Sequence, residues 1–179
     1  MSSAAALAAA APRGALRVGL PVALLLFLAD QASKRWILDG LRLPELHSVP
    51  VLAAGPFALD LTMVWNRGVT FGLLSGEGPL NRLLLALGAA AIALFLLRWM
   101  ARAETRFVAA ALGAVIGGAL GNLLDRLRFG AVVDFVDVQA WGWHWYVFNL
   151  ADAGIVCGVA VLIADALFRR APAAREGGA

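Results

Sequence analysis

Four apolar runs, each close to the length that crosses a bilayer, decide what this chain can fold into. A spanning helix needs about 20 mostly apolar residues. The runs cover residues 18–38, 80–100, 107–124 and 146–168, with uninterrupted stretches at 18–29, 83–97, 107–121 and 153–164. Hydrophobic residues make up 61% of the chain and charged residues 15%. Soluble domains average about 45–50% and about 25%. A soluble fold of 179 residues has too little interior for that much apolar surface. The expected fold is therefore a membrane all-α bundle of four transmembrane helices in one domain, residues 1–179. Runs three and four are rich in glycine (Gly113, Gly117, Gly118, Gly121, Gly154, Gly158), which predicts close helix packing in lipid.

Polar residues mark one end of every run. Asp30 and Lys34 close the first, and Asn81 and Arg82 open the second. Asn122, Asp125 and Arg126 close the third, and Asn149 and Asp152 open the fourth. Consecutive spans alternate direction, so all these residues fall on one side of the membrane. A long Arg82 side chain reaches the interface by snorkelling. Aspartate is too short for that, so Asp30, Asp125 and Asp152 need partners or water, and an ionisable residue in a span points to a functional site. Basic residues divide eight to seven between the two sides, but three arginines crowd residues 98–106 on the side of the termini. That density places both termini in the cytoplasm. Nine of the twelve acids lie on the other side. Arg13 and Arg17 precede the first run, and no A-x-A site follows it, so an uncleaved anchor is expected. Residues 1–12 and 172–179 are expected to be disordered.

Two segments lie outside the spans on the polar side. In residues 57–66, Phe57, Leu59, Leu61, Met63 and Trp65 alternate with smaller or polar residues, the period of a half-buried strand. A turn at Asn66-Arg67-Gly68 and a second strand over 69–73 would complete a small extracytoplasmic antiparallel sheet, within an outer β segment of about 49–74. Such a sheet must sit at or above the interface, because open edges do not persist in hydrocarbon. The second segment, 126–145, carries Asp134 and Asp137 and ends in Trp141, Trp143, Trp145 and Tyr146. Those rings read as interfacial anchors of the fourth span.

Carboxylates are the reagents this chain offers. Cys157, the single cysteine, lies mid-span and reads as packing, and His47 and His144 match no metal-binding pattern. No G-x-S-x-G elbow or glycine-rich phosphate loop is present. Asp134 and Asp152 have no membrane crossing between them, so both lie near the outer interface. Two carboxylates sharing a proton can activate water and polarise a carbonyl. Asn149 shares a helix face with Asp152 and can orient it, and Asp30 and Lys34 at i, i+4 read as an intrahelical ion pair. Spacing alone leaves several pairs open among Asp30, Asp125, Asp134, Asp137 and Asp152.

The blocks Asp30-x-x-x-Lys34, Asn66-Arg67-Gly68-Val69-Thr70-Phe71-Gly72, Gly117 to Arg126, Val132-Val133-Asp134-Phe135 and Phe148-Asn149-Leu150-Ala151-Asp152 occur in that order. In this the chain resembles the bacterial lipoprotein signal peptidase family, also called signal peptidase II. The resemblance implies an intramembrane aspartic endopeptidase of the bacterial inner membrane. Such an enzyme removes signal peptides from diacylglyceryl-modified prolipoproteins, cutting just before the lipidated cysteine. It implies Asp134 and Asp152 as the catalytic pair. It implies supporting roles for Asp30, Lys34, Asn66, Gly68, Asn122, Arg126, Asn149 and Ala151. It also implies an outer sheet that cradles substrate and a mobile element after Asp134. A carboxylate pair supplies activated water, so no metal or organic cofactor is expected; the basic excess reads as loop topology, so no nucleic-acid partner is expected; and a monomer with its active site at the outer face is expected. Val69-Thr70 departs from the small pair common in the family at that place.

Two rival readings follow from the residues. A small ion- or proton-coupled transporter would use intramembrane acids, but those usually lie near the midplane at a repeat interface, and here they gather at one end. A non-catalytic anchor explains the glycines and tryptophans and leaves the clustered acids without a role.

Overall fold

The computed structural model describes residues 14–67 and 79–168, with side chains described throughout except at 79–82 and 84–86. Gly68, the strand expected over 69–73, and the two terminal tails lie outside the described residues, as do the side chains of Asn81 and Arg82.

Helix α4 (Arg106–Phe129) is the centre of the fold. Within its apolar window 61% of residues are buried inside the protein, against 22% for the first helix and 11% for the last. Thr105 starts it, its Oγ1 accepting from the Val108 N–H at 3.2 Å, and Gly130 ends it in the left-handed conformation (φ 72°). Helix α1 (Ala15–Arg35) packs along α4 and continues as one π-helical turn, Trp36–Gly40. The two helices meet through small residues. A Cβ on Gly113 would strike the backbone of Gly19, and one on Gly117 the backbone of Ala23. Helix α5 (Leu150–Phe168) lies against the same small-residue surface, with Gly118 on the Ala151 carbonyl. Here glycine acts by allowing backbones to touch, and dispersion contacts between them replace the absent side chain. Helix α3 (Pro79–Ala101) contributes Leu96 and Met100 to a core with Ala23, Val108, Leu112 and Ile116.

Among the described residues, three helices are long and apolar enough to cross a membrane: Ala15–Gly40, Arg106–Phe129 and Leu150–Phe168. Helix α3 has 23 residues, with a shorter apolar stretch at Leu87–Ala101. The fourth helix begins four residues later than the apolar run suggests. Residues 146–149 are not helical. Instead Phe148 pairs with Val136, exchanging Phe148 N→Val136 O at 3.1 Å and Val136 N→Phe148 O at 2.8 Å.

A short helix, α2 (Leu43–Leu46), leads into a four-stranded antiparallel sheet of order β1-β2-β3-β4. Its strands are β1 (Ser48–Ala54), β2 (Phe57–Asn66), β3 (Val132–Ala140) and β4 (Trp143–His144). The long strand β2 is thus paired on both edges, by β1 and by β3. An irregularity between Leu61 and Val64 shifts its register, so the period-two face does not persist to Trp65, which is exposed. Strand β3 is buried on both faces over Val132–Phe135 and has no alternation to read. Trp141, Trp143, Trp145 and Tyr146 are all exposed around the β3–β4 turn. Trp143 and Trp145 meet edge to face with centroids 5.4 Å apart.

Candidate active site

The end of α1, the end of α4 and the start of α5 converge at one end of the bundle. Helix α4 closes at Gly130 and the chain turns into β3, whose Val133 N–H donates to Asp125 Oδ2 at 3.2 Å. That bond ties the last turn of α4 to the strand carrying Asp134. The start of α5 is fixed by a reciprocal cap. The Asp152 N–H donates to Asn149 Oδ1 at 3.0 Å, and the Asn149 N–H to Asp152 Oδ2 at 3.3 Å. This is a capping box with an aspartate in the place of the usual glutamate. The Phe148–Val136 pairing then brings the cap beside Asp134.

Asp134 (1% exposed) and Asn149 (0% exposed) are buried, and Asp152 is partly buried. Asp134 accepts from Asn149 Nδ2 on Oδ1 at 2.6 Å and from Asn66 Nδ2 on Oδ2 at 3.0 Å. Asp152 accepts from Asn122 Nδ2 on Oδ1 at 2.8 Å. Asn122 is the link between the two halves. Its Oδ1 accepts from Lys34 Nζ at 3.0 Å and from Asn149 Nδ2 at 3.1 Å. Lysine only donates, so it dictates which end of the Asn122 amide faces it and leaves Nδ2 for Asp152.

Lys34 is itself held between two carboxylates. Its Nζ lies 2.9 Å from Asp30 Oδ2 and 2.7 Å from Asp125 Oδ2, and all three side chains are at most 3% exposed. With Asn122 as third acceptor, every ammonium proton is used. The pairing expected within one helix is therefore part of a buried cluster spanning α1 and α4. Gln31 braces it, donating to Asp30 Oδ2 at 3.2 Å and Asp125 Oδ1 at 3.1 Å. Asp30 Oδ1 also accepts from the Ala151 N–H at 3.0 Å, which fixes the first turn of α5 to α1. Arg126 Nη1 donates to the Asn122 carbonyl at 3.3 Å, and its charge acts on Asp152, Asp134 and Asp125.

Of the candidate site residues, Asp134, Asp152, Asp30, Lys34, Asn66, Asn122, Arg126, Asn149 and Ala151 come together in this one network. Gln31 joins it without having been singled out, and Asp125, one of the intramembrane acids expected to need a partner, joins it as a partner of Lys34. Asp125 was detectable at i+3 from Asn122, hence on the same helix face. Cys157 is exposed on α5 and not core packing. It lines a cavity of about 450 Å³ with Asn66, Tyr146, Phe148, Asp152 and Val156. That cavity runs from the polar network onto the apolar flank of α5. Among the described residues, no three His, Cys, Asp or Glu side chains are placed to hold a metal ion.

The two carboxylates differ in environment. Burial pushes Asp134 above the usual carboxylate range, and the negative charge of Asp152 adds to the rise. The bonds from Asn66 and Asn149 and the charge of Lys34 oppose it without cancelling it. Asp152 opens onto the cavity and receives two N–H donors. A buried carboxyl inclined to hold a proton therefore stands beside a second carboxyl that opens onto the cavity.

Comparison with known proteins agrees with this architecture. The family described as Signal peptidase (SPase) II matches residues 22–168. A lipoprotein signal peptidase of Methylorubrum extorquens (strain PA1) is 51% identical over 161 residues, covering 89% of this chain and 91% of its own. One from Rhodopseudomonas palustris (strain TIE-1) is 40% identical over 156 residues, covering 85% and 93%. Among solved structures, a bacterial membrane enzyme determined by the in meso method at 1.9 Å resolution superposes with TM-score 0.71 at 26% identity. That match covers 87% of this chain and 96% of the other. A second, determined by the same method at 2.3 Å, shares the fold with TM-score 0.73 at 24% identity. By the extent of the family match and the identity to these relatives, the chain belongs to the signal peptidase II family.

Proposed function

We propose that this protein removes signal peptides from diacylglyceryl-modified prolipoproteins as an aspartic endopeptidase, cutting N-terminal to the lipidated cysteine. Family membership supports the substrate class. The observation that carries the catalytic type is the pair Asp134 and Asp152, joined through Asn149 and Asn122, with Asp134 buried and Asp152 opening onto the cavity.

In the proposed reaction Asp152, as the anion, takes a proton from a water molecule while the water oxygen attacks the scissile carbonyl carbon. Asp134 gives its proton to the carbonyl oxygen, so the tetrahedral intermediate carries two hydroxyls and no net charge. Asp152 then returns its proton to the departing amide nitrogen, the C–N bond breaks, and Asp134 recovers a proton from a hydroxyl. Atoms and protons balance with side chains alone. Asn122 and Asn149 hold the carboxylates in register, and Lys34 orients Asn122. Asn66 sets how readily Asp134 releases its proton, and Gly68, two residues further along the chain, is proposed to let substrate backbone approach. The cavity along α5 suits a lipid-bearing peptide, with its apolar end toward Val156 and Cys157.

In this reading α3 supplies a fourth span. Both termini face the cytoplasm, and the sheet and the site lie at the outer face of the bacterial inner membrane. A single chain carries both carboxylates, so a monomer suffices. None of the relatives named above is a transporter, and the clustered acids are linked through Lys34, Gln31, Asn122 and Asn149 in one network and not strung along a path.

The test uses purified protein in detergent with a diacylglyceryl-prolipoprotein and its unlipidated counterpart, followed by gel mobility. Cleavage of the lipidated form, unaffected by chelator, is expected. No cleavage, together with Asp152-dependent proton flux in liposomes, would overturn the proposal.

A further inference from the structure

A second polar cavity lies on the far side of the Lys34 cluster, between the outer ends of α1 and α4. Its volume is about 660 Å³. It is lined by the charged side chains of Arg35, Arg128 and Asp39, by Gln31, and by the apolar Leu28 and Phe129. Lys34 and Asp125 touch it but are fully engaged with each other and with Asp30 and Asn122. The arginines are not. Arg128 makes no ion pair among the described residues and lies 6.0 Å from the Phe129 ring centroid. Among the described residues Arg35 pairs only with Asp39, at 3.6 Å, and both side chains are largely exposed (84% and 72%). Such a pair contributes little and opens readily.

We infer that this cavity binds the phosphodiester headgroup of a membrane glycerophospholipid. Both arginines stand at the ends of membrane-crossing helices, the level where headgroup phosphates lie. Guanidinium forks match phosphate oxygens. Leu28 and Phe129 offer an apolar wall where acyl chains leave the headgroup. Gln31 Oε1 accepts no bond among the described residues, and Asp39 is released when Arg35 turns to phosphate. These two acceptors suit the ammonium or hydroxyls of the headgroup.

The test is native mass spectrometry of the full chain released from detergent. The probes are dioleoyl phosphatidylethanolamine, dioleoyl phosphatidylglycerol, dioleoylglycerol and inorganic phosphate. The comparison is between wild type and an Arg35→Gln/Arg128→Gln variant. One or both phospholipids should stay bound to wild type, and retention should fall about thirtyfold in the variant, from about 1 kcal/mol per arginine. Dioleoylglycerol should bind less and be indifferent to the change. Leu28→Trp, which fills the cavity and leaves its charges intact, should also lower retention. Equal phospholipid retention by wild type and both variants would overturn the inference. So would phosphate displacing the lipid at millimolar concentration, since the site would then serve a free anion.

Discussion

Replacing Lys34 with methionine separates two roles of the buried cluster. The ammonium lies within 3 Å of Asp30 and Asp125, with both carboxylates at most 1% exposed. Methionine fills similar volume and leaves two carboxylates together without a cation. Removing one partner of a buried ion pair costs about 3–5 kcal/mol, because the remaining charge is uncompensated. For a chain of this size, each kcal/mol lowers Tm by about 2–4 °C, so the expected fall is about 6–20 °C. The six tryptophans allow the transition to be followed by intrinsic fluorescence in detergent. A triple variant, Asp30→Asn/Lys34→Met/Asp125→Asn, removes every charge of the cluster and should recover most of the loss. It should not recover activity, because Asn122 has still lost the donor that fixes its amide toward Asp152. A fall in Tm below about 2 °C for the single variant, or a triple variant no more stable than the single, would refute the reasoning.

Asn66→Ala removes a donor that lowers the proton affinity of Asp134. The basic limb of the pH–rate profile should move to higher pH, and a limb that stays or moves down contradicts the acid role. Burial raises Asp134 above its ordinary value of 3.8, so the folded state holds the proton more tightly than the unfolded state. The resulting stability is complete below that value and is lost as pH rises through the raised folded one. Asp134→Asn should abolish that slope and match or exceed wild-type Tm at neutral pH, measured by the same fluorescence ramp. Asn149→Ser keeps an N-cap but loses the amide donor to Asp134, whereas Asn149→Ala loses both. Serine should therefore retain about 1 kcal/mol more stability than alanine while both lose activity. Gly117→Val drives a side chain into the backbone of Ala23 and should abolish a monodisperse size-exclusion peak, while Gly88→Ala, with nothing within 4 Å, should leave it intact.

The membrane character and the polar end of the bundle were legible because a charge inside a long apolar run is conspicuous. The glycines of α4 were legible as small residues in an apolar run, and Gly113, Gly117 and Gly118 meet backbone as expected in lipid, while Gly121 faces the Asp30 carboxylate. The sheet was only partly legible. Strand β2 showed its alternation, but its partners β1 and β3 did not, since β3 is buried on both faces and offers no period. The start of α5 was misplaced because Tyr146, Val147 and Phe148 extend the apolar run. Hydropathy cannot see that Phe148 spends its backbone bonds on Val136. The Asn149-x-x-Asp152 spacing held the correction, since it is an N-cap signature. The Lys34 cluster was half legible. An i, i+4 pair is visible along one helix, but the second carboxylate, Asp125, arrives from another.

In the proposed mechanism Asp134 and Asp152 carry the chemistry while the residues around them hold them in place. Single-turnover cleavage of a diacylglyceryl-prolipoprotein by Asp134→Asn and by Asp152→Asn, each shown folded by its thermal transition, tests it most directly. The account predicts that each variant loses at least about 10²–10⁴-fold in rate, the range attributed to one proton-transfer group. A folded variant of either kind cutting at more than about a tenth of the wild-type rate, well short of that range, would contradict it.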